Sequence, residues 1–150
     1  RVYDVSLPDL FGSISENSKP VASERKASAG VVIRAGDRLL QEGNGLRYTS
    51  LAGGNHLADL HPLRVIVPVD RQGNHHYQHS GEEWLYVLSG QLILTLVDEQ
   101  FLLNPGDAAH FDAFLPHDIS ATGEQDAEIL LVACTPTRSL LKSYLSEKQL

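Results

Sequence analysis

His75-His76-Tyr77-Gln78-His79-Ser80-Gly81-Glu82-Glu83-Trp84-Leu85-Tyr86-Val87-Leu88-Ser89-Gly90 decides the fold. A histidine cluster runs into an acidic pair, then an apolar β-type run, then a turn glycine. On a strand, alternate residues share a face. Glu83, Leu85 and Val87 then point one way, and Trp84, Tyr86 and Leu88 the other. Both faces are apolar except for one carboxylate at the strand's start. A buried carboxylate is costly unless it is paired, hydrogen-bonded or bound to a metal. His79, four residues earlier, is the nearest partner of the right chemistry.

A second stretch answers the first: Pro105-Gly106-Asp107-Ala108-Ala109-His110-Phe111-Asp112-Ala113-Phe114-Leu115-Pro116-His117. Together the two resemble the two motifs of the cupin family. The first has the form H-x-H, three or four residues, E, six residues, G, and here His79, Glu83 and Gly90 take its second histidine, glutamate and glycine. The second has the form P-G-D, a few residues, then P-H, and His117 takes its histidine. The resemblance covers roughly residues 62 to 136 and implies an all-β cupin fold, a double-stranded β-helix or jelly-roll barrel. Two positions depart from the pattern: Tyr77 stands at the first histidine of H-x-H, and Ala121 at the asparagine-like position after His117. What the resemblance leaves is His79, Glu83 and His117, two imidazoles and one carboxylate. That is the donor set of non-haem Fe(II) facial sites. It implies a divalent transition metal, Fe, Zn, Ni or Mn; the alternative is a pocket in which the same residues hydrogen-bond an organic ligand or each other. His75 shares the parity of Tyr77 and His79, and with Arg47, Tyr48, Arg64 and Tyr77 it is a candidate pocket-liner.

Composition bounds the rest. The chain has 150 residues, 42% hydrophobic and 21% charged, enough for one globular domain. No apolar run reaches the ~18 residues of a membrane helix, and no membrane contact is expected. The single cysteine, Cys134, permits no internal disulfide and points to a reducing cytoplasm. The net charge of -7, with 12 Lys and Arg scattered, argues against nucleic-acid binding by these residues. No G-x-S-x-G elbow, P-loop or G-x-G-x-x-G is present, which leaves serine hydrolysis and nucleotide chemistry without support.

Taken in order, residues 1–12 carry a short apolar cluster, Leu7, Leu10 and Phe11. The phrase Val5-Ser6-Leu7-Pro8-Asp9-Leu10-Phe11 resembles the last helical segment of XRE-type helix-turn-helix domains, after which a cupin domain follows in such regulators. Residues 13–29 are Ser-rich and aperiodic, a linker by composition. Residues 30–136 form the expected cupin domain, beginning with β-branched Val31-Val32-Ile33-Arg34 and continuing through short strands separated by turns. In residues 137–150, Leu140, Leu141, Tyr144 and Leu145 recur at helical spacing, and a C-terminal amphipathic helix is expected. Arg1 in place of Met suggests a fragment or a processed product. Of the remaining histidines, His56, His61 and His76 read as exposed loop or strand-edge residues, and His110 as a packing residue.

Two functions follow. The first is the effector-sensing domain of a cytoplasmic XRE-type transcription regulator, with a small polar or anionic metabolite near His79, Glu83 and His117. Such a protein would be a homodimer, paired through the outer face of Trp84, Tyr86 and Leu88, and would touch DNA only through an N-terminal domain absent from this chain. The alternative is a mononuclear metal-dependent cupin enzyme, an oxygenase, epoxidase or isomerase. Certain cupin epoxidases also lack the first histidine and also follow a helix-turn-helix segment.

Overall fold

The computed structural model describes residues 32–53, 59–71 and 75–135. Expectations for residues 1–12, 13–29 and 137–150, and for His56, lie outside them. Nine strands follow in order: β1 (Leu40–Gly43), β2 (Leu46–Ser50), β3 (Leu60–Val67), β4 (Glu82–Ser89), β5 (Gln91–Leu96), β6 (Glu99–Leu103), β7 (Ala108–Asp112), β8 (His117–Thr122) and β9 (Ala127–Cys134). Among the described residues the only helical element is a single 3-10 turn, Ala35–Asp37.

The strands form a six-stranded sheet, ordered β1-β2-β3-β9-β4-β7, and a three-stranded sheet, ordered β6-β5-β8. All named pairings are antiparallel. This is the jelly roll expected from the sequence. Period-two patterning builds it: on β4, Leu85 and Val87 are fully buried while Trp84 and Leu88 stay more than a third exposed. On β5, Leu92 and Leu94 are buried, and on β9, Ile129 and Leu131. The inner faces of both sheets thus share one core, which also takes in Val65, Val67 and Ile119.

Turn chemistry sets the registers. Asn44 and Gly45 both have positive φ, 54° and 76°, the backbone of a two-residue hairpin, and join β1 to β2. Gly90, the motif glycine, has φ 75°, and a Cβ there would stand 2.4 Å from the Asp126 carbonyl oxygen. The chain can therefore turn from β4 into β5 only without a side chain at this position.

One element differs from expectation. Residues 32–34 lie in no strand, and Val32 is 73% exposed. β-Propensity holds a strand only where a neighbour pairs with it. β3 reaches back to Leu60 because β9 extends alongside to pair Leu60 with Cys134.

Candidate metal centre

Glu83 lies in the second position of β4, on its inward face, and is 4% exposed. Its strand neighbours are Ala133 on β9 and Phe111 on β7. His117 opens β8 in the other sheet. An isolated β-bridge joins Tyr77 to His117: the Tyr77 N–H donates to the His117 carbonyl at 2.7 Å, and the return bond is 2.9 Å. Two residues on, the His79 N–H donates to the Ala113 carbonyl at 2.9 Å. The loop before β4 is thereby stitched to the start of β8, and a site forms between the two sheets.

Gly81 makes the approach feasible. Its φ is 103°, and a Cβ there would sit 1.9 Å from the Cys134 carbonyl oxygen, well inside contact distance. The Ala113 N–H donates to the Gly81 carbonyl, closing the same turn from the other side.

The three side chains converge. His79 Nε2 lies 2.5 Å, and His117 Nε2 2.9 Å, from one carboxylate oxygen, Oε2 of Glu83. All three are buried, and their ligand atoms lie within 4.8 Å of one another. Among the described residues no other group of His, Cys, Asp or Glu is so arranged.

The opposite ring nitrogens decide how the donor set reads. His117 Nδ1 is 2.7 Å from the Leu115 carbonyl oxygen, and His79 Nδ1 is 3.2 Å from that of Ser80. A carbonyl only accepts, so Nδ1 carries the hydrogen and the Nε2 lone pair faces inward. An imidazole anchored through Nδ1–H to a backbone carbonyl is the usual outer support of a metal-ligating histidine. The residues present fit a divalent transition ion. Without an ion there, both Nε2 atoms hydrogen-bond to Glu83 Oε2. His117 accordingly has a raised pKa: burial lowers it, but the hydrogen bond and charge of Glu83 outweigh burial. Burial raises the Glu83 carboxyl, and the two imidazoles outweigh that and hold it down at about 2.

Tyr77, where the first motif histidine would stand, is 4% exposed and lines the same pocket. Burial, only partly offset by Arg71, pushes its phenol up to about 12, so it stays a neutral hydroxyl at ordinary pH. Its oxygen accepts from Arg71 Nη2 at 2.6 Å. Arg71 also donates to Asp118 Oδ1, to the Ile119 carbonyl and to the Asn44 carbonyl. This arginine, 4% exposed at its side chain, is a residue that sequence reasoning missed. No spacing signature marks it, since it lies in the loop before the histidine cluster.

The other candidates divide by strand parity. Tyr48 faces inward on β2 and lines the pocket with Leu46, Leu63, Val65, Ile119 and Leu131. Arg47 and Arg64, expected in the pocket, instead face outward, because their neighbours Leu46, Tyr48, Leu63 and Val65 take the inner positions. Arg47 pairs with Asp126 at 3.1 Å and Arg64 with Glu128 at 2.5 Å. His75 stacks on Tyr77 with ring centroids 6.0 Å apart and does not join the three converging donors. His110 does not pack in the core; its side chain is 62% exposed and pairs with Glu82 on the outer face. His61, read as an exposed loop or strand-edge residue, is half-buried near the start of β3, with Nε2 3.2 Å from Thr135 Oγ1.

Residues 63–133, a stretch containing all three converging side chains, match the family described as Cupin domain. Over 72 residues the chain is 32% identical to the uncharacterized protein MJ1618 of Methanocaldococcus jannaschii, covering 48% of this chain and 58% of that one. Among solved structures, HppE in its Fe(II) form superposes with a TM-score of 0.64 at 24% identity, over 76% of this chain and 65% of its own. Hydroxypropylphosphonic acid epoxidase from S. wedmorenis in complex with fosfomycin gives 0.61 at 24% identity, over 69% and 58%. The likeness to these structures is one of fold. The chain spans less than two thirds of the length of each of these relatives.

Proposed function

We propose that this cupin domain holds a divalent transition metal on His79, Glu83 and His117, and that the metal anchors a small molecule whose binding the protein senses. The observation that carries this reading is the paired Nδ1 anchoring, which aims two imidazole lone pairs at one buried carboxylate. Three protein donors leave positions open for a ligand. Bound there, the metal supplies a Lewis-acidic anchor for an oxygen donor. Tyr77, fixed by Arg71, offers a neutral hydroxyl at the pocket wall, and Phe111 packs against the His117 ring at 5.1 Å.

The sensing role in an XRE-type transcription regulator draws its support from residues 1–12 and their resemblance to the end of a helix-turn-helix domain. In this reading DNA is reached through an N-terminal domain, and ligand binding favours one arrangement of a homodimer. The outer face of β4 supports the pairing: Trp84 and Tyr86 stack there with centroids 6.2 Å apart, beside Leu88.

A second reading, a mononuclear iron oxygenase or epoxidase, is favoured by the likeness to the Fe(II) HppE structure. Elemental analysis of protein purified without a histidine tag, beside His79→Ala, tests the common part. Near-stoichiometric transition metal, lost in the variant, is expected; metal-free protein after exposure to each candidate ion would overturn it. Turnover with Fe(II) and O₂, abolished in His79→Ala, would put the enzyme reading first.

A further inference from the structure

β8 ends its sheet: β5 pairs along one edge, and the other edge carries the bridge from His117 to Tyr77. On a strand, the backbone groups of residues two apart face the same edge. The next such position after His117 is Ile119, and side chains fill it. Arg71 Nη1 donates to the Ile119 carbonyl at 2.6 Å, while the Ile119 N–H donates to Asp118 Oδ1 at 2.9 Å. Arg71 Nη1 also donates to that same Asp118 oxygen at 3.1 Å. The Arg71–Asp118 pair therefore stands where a neighbouring strand would continue the ladder begun at His117.

The same guanidinium reaches the other member of the bridge. Its Nη2 donates to the Tyr77 hydroxyl at 2.6 Å, with Cζ 5.8 Å from the Tyr77 ring centroid. Its Nε donates to the Asn44 carbonyl at 2.8 Å. A Cβ on Gly45 would stand 2.8 Å from Arg71 Cγ, so the arginine stem runs tight against the β1–β2 hairpin. Three of the four acceptors thus belong to Tyr77, Asp118 and Ile119, the cross-strand partner of His117 and its next two residues. Four acceptors in different parts of the fold call for the five donors and fixed plane of a guanidinium; lysine offers three donors on a flexible stem. The Arg71 side chain is 4% exposed and that of Asp118 19%, so water has little access to replace these bonds. His117 is thus held through its ring by the Leu115 carbonyl and through its backbone by this cluster.

We infer that Arg71 is a positioning residue of the metal centre: by completing the free edge of β8 and holding Tyr77, it fixes where His117 stands relative to His79 and Glu83. The inference rests on the metal-binding reading above and adds to it a residue outside the three ligands. A binding constellation has to be held to within about 0.5 Å of its productive geometry. A loosened edge of β8 therefore weakens metal binding although all three donors remain.

The test loads the full chain with Co(II), whose visible absorption reports ligand geometry, and compares wild type with Arg71→Lys and Tyr77→Phe. Arg71→Lys keeps a charge beside Asp118 and loses the fork. Each variant is measured where near-ultraviolet circular dichroism shows it folded, so that lost stability alone moves neither affinity nor spectrum. Arg71→Lys is expected to bind Co(II) roughly 10- to 100-fold more weakly, the range typical of losing an outer partner, with shifted absorption bands. Arg64→Ala, which opens an ion pair on the outer face, is expected to match wild type in both; an equal change there overturns the inference. So does a folded Arg71→Lys whose affinity or bands match wild type. Should Arg71→Lys not fold, Tyr77→Phe, which removes one hydroxyl and keeps the ring, decides: weaker binding with shifted bands supports the inference, and wild-type values overturn it. Co(II) bound by wild type and lost in His79→Ala, with wild-type values in the Arg71 variant, overturns the role of Arg71 alone. No uptake of Co(II), or uptake unchanged in His79→Ala, overturns the metal reading and this inference with it.

Discussion

At the scale of single residues, one oxygen of Glu83 serves two imidazoles, and this makes the metal-free protein sensitive to pH in both directions. The Glu83 carboxyl, held at about 2 against an ordinary 4.5, contributes stability that is present above 4.5 and lost as pH falls toward 2. His117, raised above 6.5, contributes stability that is complete below 6.5 and lost as pH rises through its folded value. Metal-free protein should therefore be most stable between pH 4.5 and 6.5. Denaturant midpoints across a pH series measure this, and in Glu83→Gln the loss on the alkaline side should disappear. A metal replaces the proton on His117 Nε2, so its binding should release a proton and weaken on acidification. Calorimetry in buffers of different ionisation enthalpy reads that release. His79→Ala should cut metal affinity by more than the roughly 10- to 100-fold typical of losing an outer partner.

At the scale of elements, the turns hold the site in register. Gly81 has no space for a side chain, because the Cys134 carbonyl fills it. Gly81→Ala should displace the His79–Glu83 turn, destabilising the fold by more than the 1 kcal/mol or so of a simple glycine substitution. Metal affinity should fall with it. Val97 presents the opposite case. It opens the β5–β6 hairpin at φ 59°, a conformation unfavourable for a β-branched residue, and is 51% exposed. Val97→Asn should raise stability by about 1 kcal/mol, seen as a higher melting temperature with the metal site unchanged. The strain at Val97 was not legible in the sequence, since backbone sign depends on how β5 and β6 twist together.

At the scale of the whole molecule, the site belongs to neither sheet. Glu83 comes from the six-stranded sheet, His117 from the three-stranded one, and His79 from the loop before β4, whose backbone is bonded to the start of β8 and the loop ahead of it. Loosening the shared core should therefore loosen the metal. Leu85→Ala, at a fully buried position on Glu83's own face, should cost about 2–5 kcal/mol. If the proposed pairing through Trp84 and Tyr86 is right, Trp84→Lys should shift sedimentation from dimer to monomer without changing metal content; a wild-type monomer would sink the pairing. Sequence alone determined the strands that alternate, the turn at Gly90, and His79, Glu83 and His117 as a candidate ligand set, because period-two patterning and motif spacing are local properties of the chain. Only the tertiary structure decided that Arg47 and Arg64 face outward, that Arg71 braces Tyr77, and that the pocket wall is apolar. Those outcomes depend on which face of each strand meets the other sheet, and on side chains as distant as Arg71 and Asp118 or Arg64 and Glu128 meeting across the fold.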